Sequence, residues 1–364
     1  MTSFIHDTLG QRVILDAGNA PEHLRAELER LECSNVMLIA SEFESDLAAQ
    51  VMGETDTALN WDEVRQHVPV ENVQRARSAA AEANIDVLVS VGGGSTTGLA
   101  KAIALTTGLP IIAVPTTYAG SEATRMWGMT EDRTKSTGLD DRVLPKTVIY
   151  DSTLTLTLPV ELSVASGFNG LAHCIDSMWA SNTDPIAQAM ALEGIRALAR
   201  GLPQVVTDPK DLSGRDQCLY GAYLSAVSFA SAGSGLHHKI CHVLGGTFDL
   251  PHAQTHATVL PHVLAFNAPS VPEIARRISQ ALDNGAPSDE PAPAASSALE
   301  KLREATNAPR ALRDFGMPET GIAEAVERIM GVVPKDNPTP VTEENLKNML
   351  HDAWSGETPG GKNE

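Results

Sequence analysis

Basic residues are scarce in this sequence, and it has no long apolar run. Its 364 residues include 27 lysines and arginines against 46 aspartates and glutamates, for a formal net charge of −19. Nucleic acids and anionic membranes attract basic patches, so we expect neither as a partner. No stretch is apolar over enough length to span a bilayer, and Met1–Gly10 lacks the pattern of a secretory signal. We therefore expect a cytoplasmic protein.

Cysteine is also scarce. The four cysteines are widely spaced and form no CxxC pair: they are Cys33, Cys174, Cys218 and Cys241. All four lie in apolar or helical contexts, where a thiol packs as a small apolar side chain. The spacing therefore favours free thiols in a reducing compartment and no disulfides.

The first 157 residues alternate β-rich apolar runs with amphipathic stretches. The predicted strands are Arg12–Leu15, Asn35–Ala40, Asp86–Val91, Pro110–Val114 and Thr147–Tyr150. The predicted helices among them are Glu22–Leu31, Val73–Glu82 and Thr96–Thr106. This order is typical of βαβ units. It predicts an α/β domain with a mainly parallel, Rossmann-like sheet over residues 1–157.

The strand signals stop near Leu154–Leu158, and helical spacing follows. The predicted helices are Ala187–Leu202, Gln217–Ala230, Ser270–Leu282, Ser297–Glu304 and Ile322–Ile329. A stretch rich in alanine, proline and serine, Asn284–Ser297, predicts a loop. Residues 158–364 are therefore predicted to form a second, all-helical domain that carries substrate binding and catalysis.

A glycine-rich stretch, Gly92–Gly98, follows one of the predicted strands. Glycines let the backbone approach a phosphate, and the hydroxyls of Ser95 and Thr96 and a helix N-terminus offer it donors. The run departs from GxGxxG, and by itself it also suits a turn without a ligand. A second turn of small and hydroxyl residues, Pro115–Glu122, follows the next strand. Two such loops at one sheet edge favour a nucleotide-binding crevice.

Polar residues recur at helical spacing in the second half. His238 and His242 lie four residues apart on one predicted helix face, Asn169 and His173 repeat that spacing, and His252 follows. Imidazoles placed in this way suit metal ligation, acid–base chemistry or anion binding. A single histidine is more often a hydrogen-bonded helix residue. We keep that interpretation for three others, His237, His256 and His262.

Four stretches in this order and at these separations resemble the iron-containing alcohol dehydrogenase family: Gly92–Lys101, Pro115–Glu122, Gly167–Asp176 and Gly235–His252. The resemblance spans nearly the whole chain. It implies a dinucleotide-binding domain, a helical domain, an active-site cleft between them and usually a homodimer. The strings GGGSTTG, TTYAGSE and LHHKICH are similar to the maleylacetate reductase branch of the family. Those enzymes use NADH or NADPH to reduce the carbon–carbon double bond of maleylacetate to 3-oxoadipate in the degradation of aromatic compounds.

The resemblance also implies which residues form the site. In metal-dependent members an aspartate and three histidines hold the cation, and the matching positions here are Asn169, His173, His238 and His252. Because a neutral amide replaces the carboxylate, we expect no essential metal. The alternative is a metal-dependent alcohol or aldehyde dehydrogenase in which the amide oxygen helps to ligate Fe²⁺ or Zn²⁺. A ligand sensor on the same scaffold is a further alternative, which the clustered histidines disfavour.

By the same resemblance, the cofactor contacts are Gly93, Gly94, Ser95, Thr116, Thr117, Ser121 and Lys135. Ser41 ends the second predicted strand where relatives that prefer NAD often carry aspartate, so NADH and NADPH both stay open, although Glu42 could serve the NADH role. Asn169 is expected to contact the substrate. Tyr118 and Arg125 are expected to contact it as well or to be structural.

An acidic protein that binds a dicarboxylate needs a local cationic pocket. We expect Lys239 and protonated His173, His238 and His252 to provide it, binding the carboxylates and the enolate that forms on the ketone. His242 is the expected proton donor. Lys239 could equally be a solvated helix lysine.

Overall fold

The computed structural model describes residues 3–7, 10–131, 134–283 and 291–359. Two compact units divide the chain, one over Thr8–Leu158 and the other over Pro159–Glu364 together with Met1–Asp7. The first unit is α/β with a parallel sheet and the second is helical, which confirms the predicted fold class.

A six-stranded parallel sheet forms the centre of the first unit. Its strands are β1 (Arg12–Leu15), β2 (Val36–Ile39), β3 (Leu59–Trp61), β4 (Val87–Gly92), β5 (Ile111–Pro115) and β8 (Thr147–Tyr150). They lie in the order β1-β8-β5-β4-β2-β3, and every pairing is parallel. An antiparallel pair of strands, β6 (Met126–Glu131) and β7 (Thr134–Leu139), is separate from this sheet.

Four helices cover the sheet on both faces. They are α1 (Ala20–Arg30), α2 (Ser45–Met52), α3 (Val70–Glu82) and α4 (Gly94–Thr107). Because side chains alternate along a strand, Val87 and Val89 of β4 pack with α1 and α2, whereas Leu88 packs with α3 and α4. Both faces of β4 are therefore buried, as expected for a central parallel strand.

The second unit consists of helices. They are α5 (Val160–Ser177), α6 (Pro185–Thr207), α7 (Leu212–Ala232), α8 (Leu236–Phe248), α9 (His252–Asn267), α10 (Pro272–Leu282), α11 (Pro291–Thr306), α12 (Ile322–Met330) and α13 (Glu343–Ser355). The local sequence determines where α6 begins. The Asp184 carboxylate accepts hydrogen bonds from the backbone N–H groups of Ile186 and Ala187, and Pro185 occupies the first turn. Helix α11 begins at Pro291, inside the predicted loop, so the loop expectation was wrong for residues 291–296. Residues 284–290 lie outside the described part.

No helix within the described ranges is long and apolar enough to cross a membrane. The four cysteines are free thiols.

Candidate active site

Six histidines from three helices of the second unit form one cluster, which we call the histidine cluster. Its members are His173 of α5, His237, His238 and His242 of α8, and His252 and His256 of α9. The rings of His173 and His238 stack, with centroids 4.9 Å apart and planes 13° apart. The His256 ring lies 4.8 Å from His238 and 4.4 Å from His252, and His242 lies 6.1 Å from His238. The four histidines that the sequence assigned to one site are therefore neighbours.

Two histidines of the cluster were not expected there. Nε2 of His237 lies 2.9 Å from Nδ1 of His256, and both rings are fully buried against the others. Both are hydrogen-bonded helix residues, as the sequence analysis expected, but they pack against the histidines of the shared site. The signal that could have found His256 is its spacing, because it stands one helical turn after His252. His262, by contrast, is buried beside Arg303, and burial lowers its pKa to about 3.

Exposure differs from one side of the histidine cluster to the other. His237, His238 and His256 are buried, whereas the side chains of His242 and His252 are exposed within the chain. Lys239, adjacent to His238 in α8, is half-buried. The cluster therefore has an accessible edge, formed by His242 and His252, at which a small molecule can meet the imidazoles.

Asp176 fixes the His238 ring through a hydrogen bond. Its Oδ2 atom lies 2.7 Å from Nδ1 of His238 and accepts the backbone N–H groups of His238 at 3.2 Å and of Gly235 at 2.9 Å. A side chain at Gly235 would place its Cβ 2.5 Å from Oδ1 of Asp176, so only glycine permits this approach. Asp176 lies one turn after His173 on α5, but the sequence analysis did not identify it.

Six polar atoms of the site are buried and have no hydrogen-bond partner: Oδ1 of Asn169, Nδ1 of His173, Oδ1 of Asp176, Nδ1 of His237, Nε2 of His238 and Nε2 of His256. Leaving such atoms unsatisfied costs about 1–3 kcal/mol each. Three of them belong to residues that the sequence assigned to the site, namely Asn169, His173 and His238. We conclude that this part of the cluster is built to receive a polar ligand.

A divalent cation fits this donor set poorly. The residues at the ligand positions are Asn169, His173, His238 and His252, none of which carries a negative charge. In the nearby carboxylate, Asp176, the Oδ2 atom is already bonded to His238 and to two backbone N–H groups, and Oδ1 has no partner. A buried cation without an anionic ligand lacks charge compensation, so this donor set suits Fe²⁺ less well than a set that includes a carboxylate.

A second group of possible ligands lies deeper. Among the described residues, His237, Cys241 and His256 place one nitrogen or sulfur atom each within 4.8 Å of one another, and all three are buried. Those atoms already bond each other, at 2.9 Å between the two imidazoles and 3.5 Å from the thiol to His237. The atoms that a cation would need therefore already bond each other, although Nδ1 of His237 and Nε2 of His256 have no partner.

The expected positive charge is absent from the buried part of the cluster. Burial, followed by the neighbouring imidazoles His238 and His252, lowers the pKa of His173 well below its usual value. Burial also lowers the pKa of His238 and His256, with other imidazoles acting in the same direction. The prediction that His173 and His238 are protonated is therefore wrong for the ligand-free protein, in which both are neutral.

In the first unit, the two predicted cofactor loops leave the sheet side by side. Gly92, the last residue of β4, is paired in register with Pro115, the last residue of β5. Helix α4 begins at Gly94, so Gly93, Gly94 and Ser95 surround its N-terminus. Thr116 and Thr117 follow β5, and a Cβ at Gly93 would lie 3.1 Å from Cγ2 of Thr117. The structure thus brings these predicted cofactor contacts together at one edge of the sheet.

An unexpected carboxylate occupies this edge. Glu44, in a short 3-10 helix after β2, accepts hydrogen bonds from the backbone N–H of Gly93 at 3.2 Å and from the Thr116 hydroxyl at 3.0 Å. Ser41, which the sequence assigned to the cofactor, donates its hydroxyl to the same carboxylate at 2.8 Å. No signal in the sequence identified Glu44.

A buried lysine holds the second loop. Nζ of Lys101, in α4, donates to the backbone carbonyl oxygens of Ser121, Thr124 and Met126. Carbonyl groups in an irregular loop lack the N–H donors that regular secondary structure provides. Lys101 supplies a donor instead, and it thereby fixes the segment that carries Ser121. The sequence placed Lys101 in a family motif without giving it a role.

The remaining predicted residues fall outside these groups. Tyr118 is fully buried, which favours its structural alternative, and Arg125 is 2.9 Å from the exposed Asp141. Lys135 lies opposite Thr130 in the pair β6–β7, but its side chain lies outside the part that the structure describes.

The first unit has a parallel sheet with a glycine-rich turn, and the second has a histidine cluster on separate helices. Together these features are typical of nucleotide-dependent oxidoreductases. The family model for the N-terminal part of iron-containing alcohol dehydrogenases matches residues 11–152, and the model for their C-terminal part matches residues 163–354. The chain belongs to the iron-containing alcohol dehydrogenase family, in the branch that contains the maleylacetate reductases. As in the rest of the family, its reaction is an oxidoreduction that uses a nicotinamide cofactor.

Individual relatives cover almost the whole chain. A maleylacetate reductase from Sphingobium indicum is 45% identical over 98% of this chain and 99% of its own length. The crystal structure of an iron-containing alcohol dehydrogenase from Corynebacterium glutamicum matches with a TM-score of 0.94 and 57% identity, over 98% of both chains. The crystal structure of maleylacetate reductase from Agrobacterium tumefaciens matches with a TM-score of 0.91 and 35% identity, over 99% of this chain and 100% of the Agrobacterium chain.

Proposed function

We propose that this chain reduces maleylacetate to 3-oxoadipate with NADH or NADPH and without an essential metal. The observation that carries the proposal is Asn169, a buried neutral amide at the position where metal-dependent relatives of the family need a carboxylate. Relatives named maleylacetate reductase, 38% to 45% identical along nearly the full chain, support the choice of substrate. The cofactor would bind at the glycine-rich turn of the first unit and the substrate at the histidine cluster of the second.

The reaction sets clear demands on the site. Maleylacetate is a dianion whose carbon–carbon double bond is conjugated to a ketone. Hydride from the nicotinamide adds to the carbon β to the ketone, the electron pair moves to the ketone oxygen, and an enolate forms. A proton then adds to the carbon next to the ketone, which gives 3-oxoadipate. The protein must bind two carboxylates, stabilise the enolate and supply that proton.

The geometry suggests how these tasks are divided. The half-buried Lys239 and the exposed His252 bind the carboxylates. The His173 imidazole is a neutral group whose buried Nδ1 has no partner and can donate a hydrogen bond to the enolate oxygen. The Asn169 amide can donate to the substrate through its Nδ2 group, while its unpartnered Oδ1 can only accept. His242 is exposed, so it can take a proton from water and pass it to the substrate carbon.

Chelator-treated protein tests the proposal. The protein is treated extensively with chelator, its residual metal is measured, and NADH oxidation is followed with maleylacetate. We expect turnover that does not increase when Fe²⁺ or Zn²⁺ is added. Turnover that appears only after the metal is restored would keep the substrate but contradict the metal-free mechanism. Inactivity under both conditions would contradict the function.

The second candidate is a metal-dependent alcohol or aldehyde dehydrogenase. The unpartnered atoms Oδ1 of Asn169, Nδ1 of His173 and Nε2 of His238 favour it, because each offers a lone pair that a cation could use. Alcohol oxidation with NAD⁺ that is lost on chelation and restored by one ion would establish this function. The same preparation, tested with alcohols and with maleylacetate, therefore distinguishes the two candidates.

We also propose a cytoplasmic homodimer. Strand β1 is one edge of the six-stranded sheet, and Val13 and Leu15 on it are 36% and 41% exposed. An apolar edge strand of this kind favours association with another copy. Light scattering after gel filtration tests the dimer, and Val13→Lys should shift the protein towards monomer. A wild-type monomer would contradict the proposal.

A further inference from the structure

The Glu44 carboxylate lies inside the glycine-rich turn and uses both oxygens there. Oε1 accepts from the backbone N–H of Gly93 at 3.2 Å and from the Thr116 hydroxyl at 3.0 Å. Oε2 accepts from the Ser41 hydroxyl at 2.8 Å and from the Thr96 hydroxyl at 3.4 Å. Four donors on three segments of the chain therefore converge on one anionic group.

The glycine at position 92 makes room for this carboxylate. Gly92 has a φ of +150°, which L side chains rarely adopt. The Glu44 carboxylate comes so close to Gly92 that a Cβ there would lie 2.5 Å from Oε2 of Glu44. Glycine-rich turns normally allow a phosphate to come this close to the backbone. Here an internal side chain makes that approach instead.

The donors that bind Glu44 are the ones a cofactor diphosphate needs. Gly93 and Thr116 were assigned to the cofactor, and they lie at the ends of neighbouring strands next to the N-terminus of the 14-residue helix α4. Each N–H has one hydrogen to donate, and two anions at hydrogen-bonding distance from the same donors repel each other. Glu44 and the diphosphate therefore cannot occupy the turn together.

We infer, resting on the proposed use of a nicotinamide cofactor, that Glu44 is an internal competitor of the cofactor diphosphate. In the ligand-free protein it satisfies the donors of the turn and keeps their geometry, and the cofactor binds by displacing it. Its location suits such an exchange, because Glu44 ends a three-residue 3-10 helix whose other members, Glu42 and Phe43, are exposed. Glu44 thus sets cofactor affinity without selecting between NADH and NADPH.

The test is a binding experiment with the purified full chain and no maleylacetate. Dissociation constants for NADH, NADPH and ADP are measured by calorimetry for the wild type, Glu44→Gln and Glu44→Ala. Glu54→Gln is the matched control, because it removes the same charge from an exposed residue of the same unit that lies outside the turn. Removing the competitor raises the fraction of the binding-competent state. We expect all three ligands to bind about three- to tenfold more tightly to both Glu44 variants, and equally so, because they share the diphosphate.

Two other outcomes would overturn the inference. If Glu44 instead accepts the ribose hydroxyls of the adenosine, Glu44→Gln weakens NADH binding and shifts the ratio of NADH to NADPH affinity. If the side chain only supports the loop, Glu44→Ala weakens all three ligands and Glu44→Gln leaves them unchanged. Thermal unfolding of each variant checks that it is folded, and the isosteric Glu44→Gln carries the test if Glu44→Ala is not. Failure of maleylacetate turnover would not affect these constants, whereas absence of nicotinamide binding by the wild type would overturn the inference and the proposed function together.

Discussion

Nδ1 of His238 lies 2.7 Å from Oδ2 of Asp176, and both side chains are buried. That oxygen also accepts two backbone N–H groups, so it acts as an acceptor and the hydrogen resides on Nδ1 of His238. In the neutral ring, the lone pair is then on Nε2, the atom that has no partner. Asp176 therefore fixes both the orientation of the ring and the atom that faces a ligand.

Replacing Asp176 with asparagine should separate this role from simple stability. The Asp176→Asn amide can turn an N–H towards His238, which removes the fixed tautomer, so we expect kcat to fall on the order of 10²- to 10⁴-fold. NADH affinity should not change, because the cofactor loops belong to the other unit. Steady-state kinetics with maleylacetate and direct NADH binding provide the two readouts.

A matched control exists in the same unit. His6 and Asp184 also form a buried pair, 2.8 Å apart, away from the histidine cluster. Asp184→Asn should lower the free energy of unfolding by about 1–3 kcal/mol and leave kcat unchanged. An equal loss of kcat in both variants would show that Asp176 acts only through stability.

Restoring the missing carboxylate should create a cation site. In the Asn169→Asp variant, an uncompensated buried charge should lower the stability of the metal-free protein by about 1–3 kcal/mol. Zn²⁺ or Fe²⁺ supplies the opposite charge, so we expect it to bind about tenfold or more tightly than to the wild type and to raise the unfolding temperature. Metal analysis after dialysis and thermal unfolding with and without the ion measure both effects. Asn60→Asp, at an exposed position of β3, is the control for the added charge.

The sequence predicted the fold where apolar patterns are strong. β1 and β8 have the predicted bounds, and β4 and β5 are displaced by one residue, because each is a run of β-branched and aliphatic residues. β3 was missed because three residues carry too little pattern, and β6 and β7 were missed because no described side chain in them is fully buried, so neither strand has a buried face. Such strands depend on tertiary contacts more than on local preference.

The sequence predicted those site residues that are related by helical spacing. Asn169 and His173 on α5 and His238 and His242 on α8 lie on shared helix faces, as their four-residue spacing required. Asp176 pairs with a residue 62 positions away, and Glu44 with Gly93, 49 positions away. No local pattern encodes such contacts. The charge state of the cluster was also out of reach, because it depends on burial that the sequence does not show.

His242 should be the residue whose loss affects proton delivery. We expect His242→Gln to lower kcat on the order of 10²- to 10⁴-fold with little change in NADH affinity. Added imidazole should restore part of the rate, because the ring is exposed and the vacated space is open to solvent. His351→Gln, on α13, removes a partly exposed histidine away from the cluster and serves as the control. A rate retained in His242→Gln would contradict its role as the proton donor.

Lys101 should make stability depend on pH. Burial lowers its pKa to about 7, against the opposing charge of Glu122, from an ordinary value of 10.5. Between these values the unfolded chain binds more protons than the folded one, so the contribution of Lys101 to the free energy of unfolding rises with pH, by about 1–2 kcal/mol between pH 7 and about pH 9. Urea unfolding of the wild type and Lys101→Met should therefore diverge in that window.

The same variant tests the contact between Lys101 and the second cofactor loop. Without the ammonium, the carbonyl oxygens of Ser121, Thr124 and Met126 lose their shared donor, and we expect the KM for NADH to rise by about tenfold, equivalent to about 1.4 kcal/mol. Lys146→Met removes an exposed lysine of the same unit and should alter neither the KM nor the pH dependence. If the stability difference between wild type and Lys101→Met stays constant across the window, Lys101 keeps its proton. In that case the carbonyl oxygens, rather than burial, control its charge.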